Sequence, residues 1–351
     1  MTERFDALAQ SVLDGTPITA DQALSLLTSS DEELLALVAA GSTIRRRHFG
    51  MTVKLNYLVD LKSGLCPENC YYCSQALGST APILKYSWLS KSEALDQAGR
   101  GIDGGASRVC LVASGRGPSR RDIDRVGDIV TGLKDEHPEV EVCACLGILK
   151  DGQAETLRNA GADAYNHNVN TAESFHDTIV QTHTYADRTA TIEKAKSSGL
   201  SPCSGLIVGM GESDEQVIEA LFALRELDSD SIPINFLIPF DGTPMEGQRN
   251  LTPAQCLRIV ATARFVCPDR EIRLAGGREI HLRSLQPLAL QVANSIFLGD
   301  YLTSEGQAAK EDLALIRDNG FTIIGQDETP DPARVPALRR RGAGTAVEAN
   351  A

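Results

Sequence analysis

The stretch "KLNYLVDLKSGLCPENCYYCSQ" (residues 54–75) passes from a β-rich run into a polar loop that carries three cysteines and two tyrosines. Cys66, Cys70 and Cys73 stand at spacings of four and three, and the next cysteine, Cys110, is 37 residues further on. A structural zinc site takes four ligands, usually in two pairs, so a solitary triad is incomplete for zinc. Thiolates also hold iron–sulfur clusters, and a cubane with three protein ligands leaves one iron open to bind something else. On its own, the string CxxxCxxC is compatible with a cluster, with zinc or with a redox pair.

What surrounds the loop indicates the fold. Residues 54–61 are the first of eight short β-rich runs, followed by "SRVCLVAS" (107–114), "VEVCACLG" (140–147), "DAYNHNVN" (163–170), "SPCSGLIVGM" (201–210), "SIPINFLIPF" (231–240), "EIRLAGG" (271–277) and "SIFLGDYL" (295–302). Amphipathic stretches with helix-start signals lie between them. "SDEQVIEALFALREL" opens on Ser213 with Gln216 three residues on, and "TPAQCLRIVATARF" has Thr252 as cap, Pro253 at the first helical position and Gln255 at the third. Strand then helix, eight times over, predicts an α/β chain folded as a closed parallel (β/α)8 TIM-type barrel, although a doubly wound open sheet would give similar signals. In a barrel, the loop after the first strand sits at the C-terminal mouth, where active sites of this fold are built.

Three segments are expected: an N-terminal helical extension over 1–50, the barrel over 51–326, and a tail over 327–351. In the extension, "TADQALSLL" and "DEELLALVAAG" are apolar at helical spacing and end on Gly41. The tail turns to Pro, Ala, Arg and Gly, a composition that predicts disorder. Lys and Arg number 34 against 47 Asp and Glu, and the net charge of -13 disfavours nucleic acid as the main partner. The local exception, "IRRRHFG" (44–50), reads as a solvated helix end or a contact to the barrel floor. No apolar run approaches the ~20 residues of a membrane helix. "MTERFDALAQ" lacks the basic start and apolar stretch of a signal peptide, so a cytoplasmic location is expected. Nine cysteines in that compartment point to metal or redox chemistry.

Three of those cysteines, Cys110, Cys143 and Cys203, lie within β-rich runs. A free cysteine is usually a small buried hydrophobe, but inward positions of a barrel normally carry Val, Ile or Leu. The period of two places Arg108, Cys110 and Ser114 on one face, and Asn166, Asn168 and Asn170 on another. Inward-facing, they would line a polar cavity. Arg273, within "EIRLAGG", would be costly to bury without a partner, and the anionic sulfur of a metal cluster would serve as one. Cys145 shares a face with Cys143, so either could reach the cavity; Cys256 and Cys267 read as structural, and His167 as pointing outward between two asparagines.

CxxxCxxC directly after the first strand, with Tyr72 before the last cysteine, resembles the radical S-adenosylmethionine enzymes. That resemblance implies a 4Fe-4S cluster on Cys66, Cys70 and Cys73. Its open iron binds S-adenosylmethionine and donates the electron that splits it, yielding a radical that takes hydrogen from an unreactive C–H bond. From about residue 45 to 325, "YNHNVNT", "CSGLIVGMGE", "PINFLIPFDGTP", "IRLAGGRE" and "ANSIFLGDYLT" narrow the likeness to the biotin synthase family. This family implies a second, 2Fe-2S cluster on Cys110, Cys143, Cys203 and Arg273, with Cys143 assigned by alignment of "CxxLG". It also implies conversion of dethiobiotin to biotin by breaking two C–H bonds and inserting one sulfur, an electron donor such as flavodoxin or ferredoxin, and a homodimer.

By the same resemblance, Arg188 in "TYADR" pairs with the carboxylate of S-adenosylmethionine. Gly211 and Glu212 pass its adenosyl group, though an ordinary strand-to-helix turn explains them equally. Asn168 contacts both substrates, Asn235 the ureido ring of dethiobiotin, and Thr303 and Ser304 its carboxylate. Asn170 departs from an aspartate found in some members to bond the ribose hydroxyls; its carbonyl oxygen can still accept, so a weaker contact is expected. Two alternatives have distinct sequence marks. Another radical enzyme of the same barrel would be favoured by loss of Cys110, Cys203 or Arg273; a non-catalytic iron–sulfur or zinc protein would show a fourth nearby cysteine.

Overall fold

The computed structural model describes residues 2–326; the expected tail, 327–351, lies outside them. Eight stations of parallel strand close into a ring. β1 (Thr52–Lys62), β2 (Arg108–Ala113), β3 (Glu141–Cys145), β4 (Ala164–Asn166), β5 (Ser201–Cys203), β7 (Ser231–Phe236), β8 (Glu271–Leu274) and β9 (Ser295–Phe297) pair in that order. β6 (Leu206–Val208) continues the fifth station by pairing with β7. Because β1 pairs with both β2 and β9, the sheet is closed, which removes the open-sheet alternative.

All eight β-rich runs are strands. The fifth is split at Ser204–Gly205, where a Cβ on Gly205 would lie 1.9 Å from the Pro233 carbonyl oxygen. Only glycine allows this approach, and Pro233, which has no N–H to give, stands where the ladder is interrupted.

Five of the helices around the barrel start in the same way, whereas α6 (Gln153–Asn159) and α7 (Glu173–Ile179) have no side-chain cap. Ser90, Ser119, Thr184, Ser213 and Thr252 each accept from the backbone N–H three residues on, and each cap's own N–H donates in return to the side-chain oxygen at that third position. These capping boxes open α4 (Lys91–Asp103), α5 (Arg120–Glu136), α8 (Tyr185–Ser197), α9 (Asp214–Glu226) and α10 (Pro253–Val266), satisfying amides that a short loop would otherwise leave bare.

Residues ahead of the barrel form α1 (Thr2–Leu13), α2 (Ala20–Leu27) and α3 (Leu34–Phe49). α3 does not stop at Gly41, as the sequence reading had it. Gly41 is a packing position, where a Cβ would meet Val292 Cγ1 at 2.8 Å, and the helix continues to cap on Gly50. The "IRRRHFG" segment divides accordingly: Arg46 and Arg47 are exposed, whereas Arg45 is buried at the barrel floor and donates to the carbonyls of Ala293, Gly50 and Thr52. A two-residue strand, β10 (Thr322–Ile323), adds to the start of β1 outside the ring and was not foreseen.

The outer faces of the strands and the helices share one large apolar core that includes Val59, Leu111, Val142, Ile232, Ile272 and Ile296. The inner faces differ. Leu58, Cys110, Val112, Cys143, Ala164, Cys203, Ala275 and Phe297 form a separate, smaller cluster along the barrel axis. Thus the barrel encloses thiols and a cavity rather than stacked layers of branched side chains.

Candidate active site

The cysteine loop is pinned to its own backbone and to a second loop. Cys66 N–H donates to Gln75 O (3.0 Å), Leu77 N–H to Cys66 O (2.7 Å) and Cys73 N–H to Cys70 O (3.0 Å). Glu68, buried inside the loop, accepts from Thr182 Oγ1 (2.5 Å), His183 Nδ1 (2.5 Å) and Arg116 Nη1 (3.1 Å). Burial alone would raise its carboxyl; the Thr182 and His183 bonds and the Arg116 charge outweigh this and hold it below the usual value. Asn69 Oδ1 accepts from the N–H groups of Gln181 (3.0 Å) and Thr182 (3.2 Å), and Tyr71 N–H donates to Ile179 O (3.0 Å). The second loop leads directly into α8. That helix carries Arg188, whose Nη1 donates to Asn168 O (2.9 Å) and whose Nη2 lies 4.0 Å from Cys70 Sγ.

The three loop cysteines line one cavity of about 200 Å³ together with Tyr72, Asn168, Asn170, His183 and Arg188. Burial raises the thiols of Cys66 and Cys70 and pushes Cys73 up to about 12. They stay protonated until a metal cation displaces the protons. Asn170 adopts a left-handed φ of 70°, and with its amide oxygen turned inward it accepts from Tyr72 OH (2.5 Å) and from both Arg188 nitrogens (3.1 Å each).

A second cavity, of about 320 Å³, opens beside the first and shares Tyr72, Cys73, Cys145, Asn166, Asn168 and Asn170 with it. Its remaining wall includes Cys110, Asn235, Arg273, Thr303 and Ser304. Asn235 Nδ2 donates to Leu206 O (3.0 Å) while its Oδ1 accepts from Gly276 N–H (3.0 Å), which leaves one amide proton and one lone pair for a ligand. Thr303 and Ser74 share a hydroxyl contact of 2.8 Å.

Of the strand cysteines, Cys110 lines this cavity, and Cys143 and Cys203 are buried beside it in the same inner cluster. Register places Cys110 against Cys143 on neighbouring strands, and Cys203 against Asn166, whose Nδ2 is 3.2 Å from Cys203 Sγ. Arg273 Nη1 is 3.7 Å from the same sulfur. Contacts with the Cys110 and Cys203 sulfurs, together with burial, hold the Cys143 thiol well above the usual value. The same contacts with Cys143, with the charges of Arg273 and Arg108, lower the Cys110 thiol and bring Cys203 well below the usual value. Beneath the sulfurs, Lys54, Arg108 and Arg273 interlock with Glu141 and Glu271: Lys54–Glu141 2.6 Å, Arg108–Glu141 2.6 Å, Arg273–Glu271 2.5 Å. Three cations against two carboxylates leave this network one positive charge in surplus, facing the thiols.

Most residues singled out by sequence therefore converge on two adjoining cavities. Gly211 and Glu212 do not line either one. Glu212 turns back to accept from the N–H groups of Gly209 (2.6 Å) and Met210 (2.8 Å), closing its own turn. Cys145 does reach the cavities, with Sγ 3.2 Å from Asn166 Oδ1, while Cys143 lies deeper with the other strand sulfurs. His167 does not point outward between its asparagines: just past the end of β4, it is buried and lines the loop-cysteine cavity. Cys256 and Cys267 are buried in the apolar core. Arg273 has a carboxylate partner that the sequence reading overlooked. Glu271 sits two residues away on the same strand, hence on the same face, and that spacing was the available signal. The Glu68–Thr182–His183 clamp was also missed; its partners are more than 100 residues apart and left no local pattern.

Comparison with known proteins fits this geometry. Residues 62–224 match the radical SAM superfamily and residues 233–322 the biotin and thiamin synthesis associated domain. The biotin synthase of Saccharopolyspora erythraea is 68% identical and that of a Nocardioides species 62% identical, each aligned over 100% of both chains. That of Streptomyces coelicolor is 61% identical over 93% of this chain and 80% of its own.

The chain belongs to the biotin synthase family.

Among solved structures, methylornithine synthase (PylB) superposes with a TM-score of 0.74 at 22% identity, covering 83% of this chain and 85% of that one. The hydrogenase maturase HydG of Carboxydothermus hydrogenoformans gives 0.77 at 16% identity, covering 92% of this chain and 79% of its own. Both likenesses concern the fold. Membership of the biotin synthase family implies iron–sulfur chemistry and S-adenosylmethionine, and the residues present fit both. Three thiols share the rim cavity with a guanidinium 4.0 Å from Cys70, and Arg188 Nε is buried without a partner.

Proposed function

We propose that this chain converts dethiobiotin to biotin by radical-mediated sulfur insertion, the last step of biotin formation. The observation that carries the reading is the adjacency of two cysteine sets: one lines the rim cavity, and the other reaches the adjoining cavity through Cys110 and Arg273, with asparagines on the shared wall. When bound, a 4Fe-4S cluster supplies the electron that splits S-adenosylmethionine and a 2Fe-2S cluster supplies the sulfur. Two C–H bonds must break for one sulfur to enter, so two molecules of S-adenosylmethionine are consumed.

The protein's part is to hold and orient. Cys66, Cys70 and Cys73 hold the first cluster; Cys110, Cys143, Cys203 and Arg273 hold the second. Arg188 pairs with the carboxylate of S-adenosylmethionine, Asn170 holds Arg188 and is itself held by Tyr72, and both flank the cofactor. Asn168 faces both substrates across the shared wall. Asn235 offers its free amide proton and lone pair to the ureido group of dethiobiotin, a donor–acceptor match. Thr303 and Ser304 offer hydroxyls to its carboxylate. Gly211 and Glu212 shape the turn that passes the adenosyl group. The reading extends to a cytoplasmic homodimer fed by a flavodoxin or ferredoxin; no helix among the described residues is long and apolar enough to cross a membrane.

Anaerobically reconstituted protein is expected to show two spectroscopically distinct clusters. Incubated with dethiobiotin, S-adenosylmethionine and a low-potential reductant, it should form biotin. Methionine released without biotin would reassign it to a radical enzyme acting on another small molecule.

A further inference from the structure

Five large apolar side chains are exposed among the described residues, and three of them, Leu65 (58%), Leu77 (63%) and Leu84 (54%), flank the cysteine loop. Single exposed leucines are ordinary, but a group of them beside a site marks an interaction surface. The backbone gathers these three. Ser63 and Tyr86 form an antiparallel bridge, so Leu65 and Leu84 follow two residues along from its two sides. Cys66 bridges to Ala76, and Leu77 N–H donates to Cys66 O at 2.7 Å, which seats Leu77 against the residue next to Leu65. Leu65 also holds a left-handed φ of 56°, a strained conformation for a bulky side chain and one kept mainly at functional positions.

The rim of this patch is basic, in a chain whose net charge is -13. The stem of Lys85 lies over Gly64, where an added Cβ would meet its Cγ at 2.7 Å, and Lys62 Nζ is 3.8 Å from the Cβ position of Gly115. Arg116, next to Gly115, is half-exposed. Glu68, the acidic residue of the loop, is buried and held by Arg116 and His183, so it presents no negative face there.

We propose that this apolar, basic-rimmed face is the docking surface for a small acidic electron-carrier protein. The proposal rests on the reading of Cys66, Cys70 and Cys73 as ligands of a redox cluster, since Leu65 and Leu77 bracket Cys66 and bring a partner closest to it. One electron passes in each encounter, oxidising the carrier and reducing the site. An apolar centre with a charged rim suits a small, transient and salt-sensitive interface.

The test uses reconstituted full-length protein and a flavodoxin as probe. Binding measured by fluorescence anisotropy at low salt should weaken about tenfold in Leu84→Asp and in Lys85→Glu, and should weaken in the wild type as salt is raised. Methionine release driven by dithionite, which needs no docking, should be unchanged in both variants. The proposal is overturned if the wild type does not bind the flavodoxin, if the variants bind it equally well, or if dithionite-driven release falls with binding. It is also overturned if sedimentation shows a wild-type dimer that the variants split, which would give the face to a second copy of the chain. Failure of the radical reading looks different: wild-type protein would release no methionine with dithionite, whatever it binds.

Discussion

The two cysteine sets have the same ligand chemistry in opposite surroundings. At the rim, Cys66, Cys70 and Cys73 sit half-buried on a loop, pinned by hydrogen bonds to a second loop, with burial raising all three thiols. Inside the barrel, Cys110, Cys143 and Cys203 are buried on rigid strands above a network with one positive charge in surplus, and two of the three thiols are lowered. The difference teaches what each place is built to do. A rim site can admit and release a small molecule, whereas an interior site is closed and electrostatically set to hold anionic sulfur.

The strongest way to break this comparison is to remove ligands from one set at a time. Cys66→Ala, Cys70→Ala or Cys73→Ala should abolish cleavage of S-adenosylmethionine, read as methionine release. Cys110→Ala should leave cleavage and lose biotin. Full cubane assembly in Cys70→Ala would erase the distinction.

Next in size is the interior network. Glu271→Gln strips Arg273 and Arg108 of a buried carboxylate, and a broken buried pair costs about 3–5 kcal/mol. The denaturant midpoint of iron-free protein should fall accordingly; an unchanged midpoint would show that solvent reaches the floor of the barrel.

The rim clamp is weaker. In Glu68→Ala, losing bonds to a charged group should cost about 1.5–3 kcal/mol locally. Amide exchange of residues 69–73 and 179–184 should accelerate together in iron-free protein. Glu68→Gln, which still accepts from Thr182 and His183, should be milder. Acceleration on one side only would show that the loops are not joined through Glu68.

Acid should also separate the regions. Burial, with further contributions from the Arg188 charge, lowers the imidazoles of His176 and His183, whose rings lie 5.7 Å apart. For a base whose folded pKa is lowered, the unfolded chain binds more protons, so stability is lost as pH falls below the ordinary histidine value of about 6.5. His183→Gln should flatten the stability–pH curve between about pH 7 and 5. A curve that keeps its slope would place the acid sensitivity elsewhere.

The smallest effect is expected at Cys145→Ser, which keeps a donor toward Asn166 and should change stability by less than about 1 kcal/mol. Its iron content should equal that of the wild type. Loss of iron would make Cys145 a ligand.

Much of this was legible in local pattern. Cys66, Cys70 and Cys73 were visible because their spacing is short. The eight strands were visible because a parallel strand buried on both sides keeps an apolar outer face whatever its inner face carries. Gly41 misled because a helix-stopping glycine and a helix-packing glycine look alike until Val292 is brought against one of them. His167 misled because the alternation of faces holds only within a strand, and β4 ends at Asn166, one residue before it.

What the sequence alone determined was periodicity, caps and the ligand inventory, since each depends on residues a few positions apart. Only the tertiary structure decided how Arg273 is compensated, which of Cys143 and Cys145 lies deeper, and how Glu68 reaches Thr182 and His183. Those outcomes depend on closing the sheet, which brings residues more than 100 positions apart within hydrogen-bond reach and takes them out of water, where charge pairing becomes decisive.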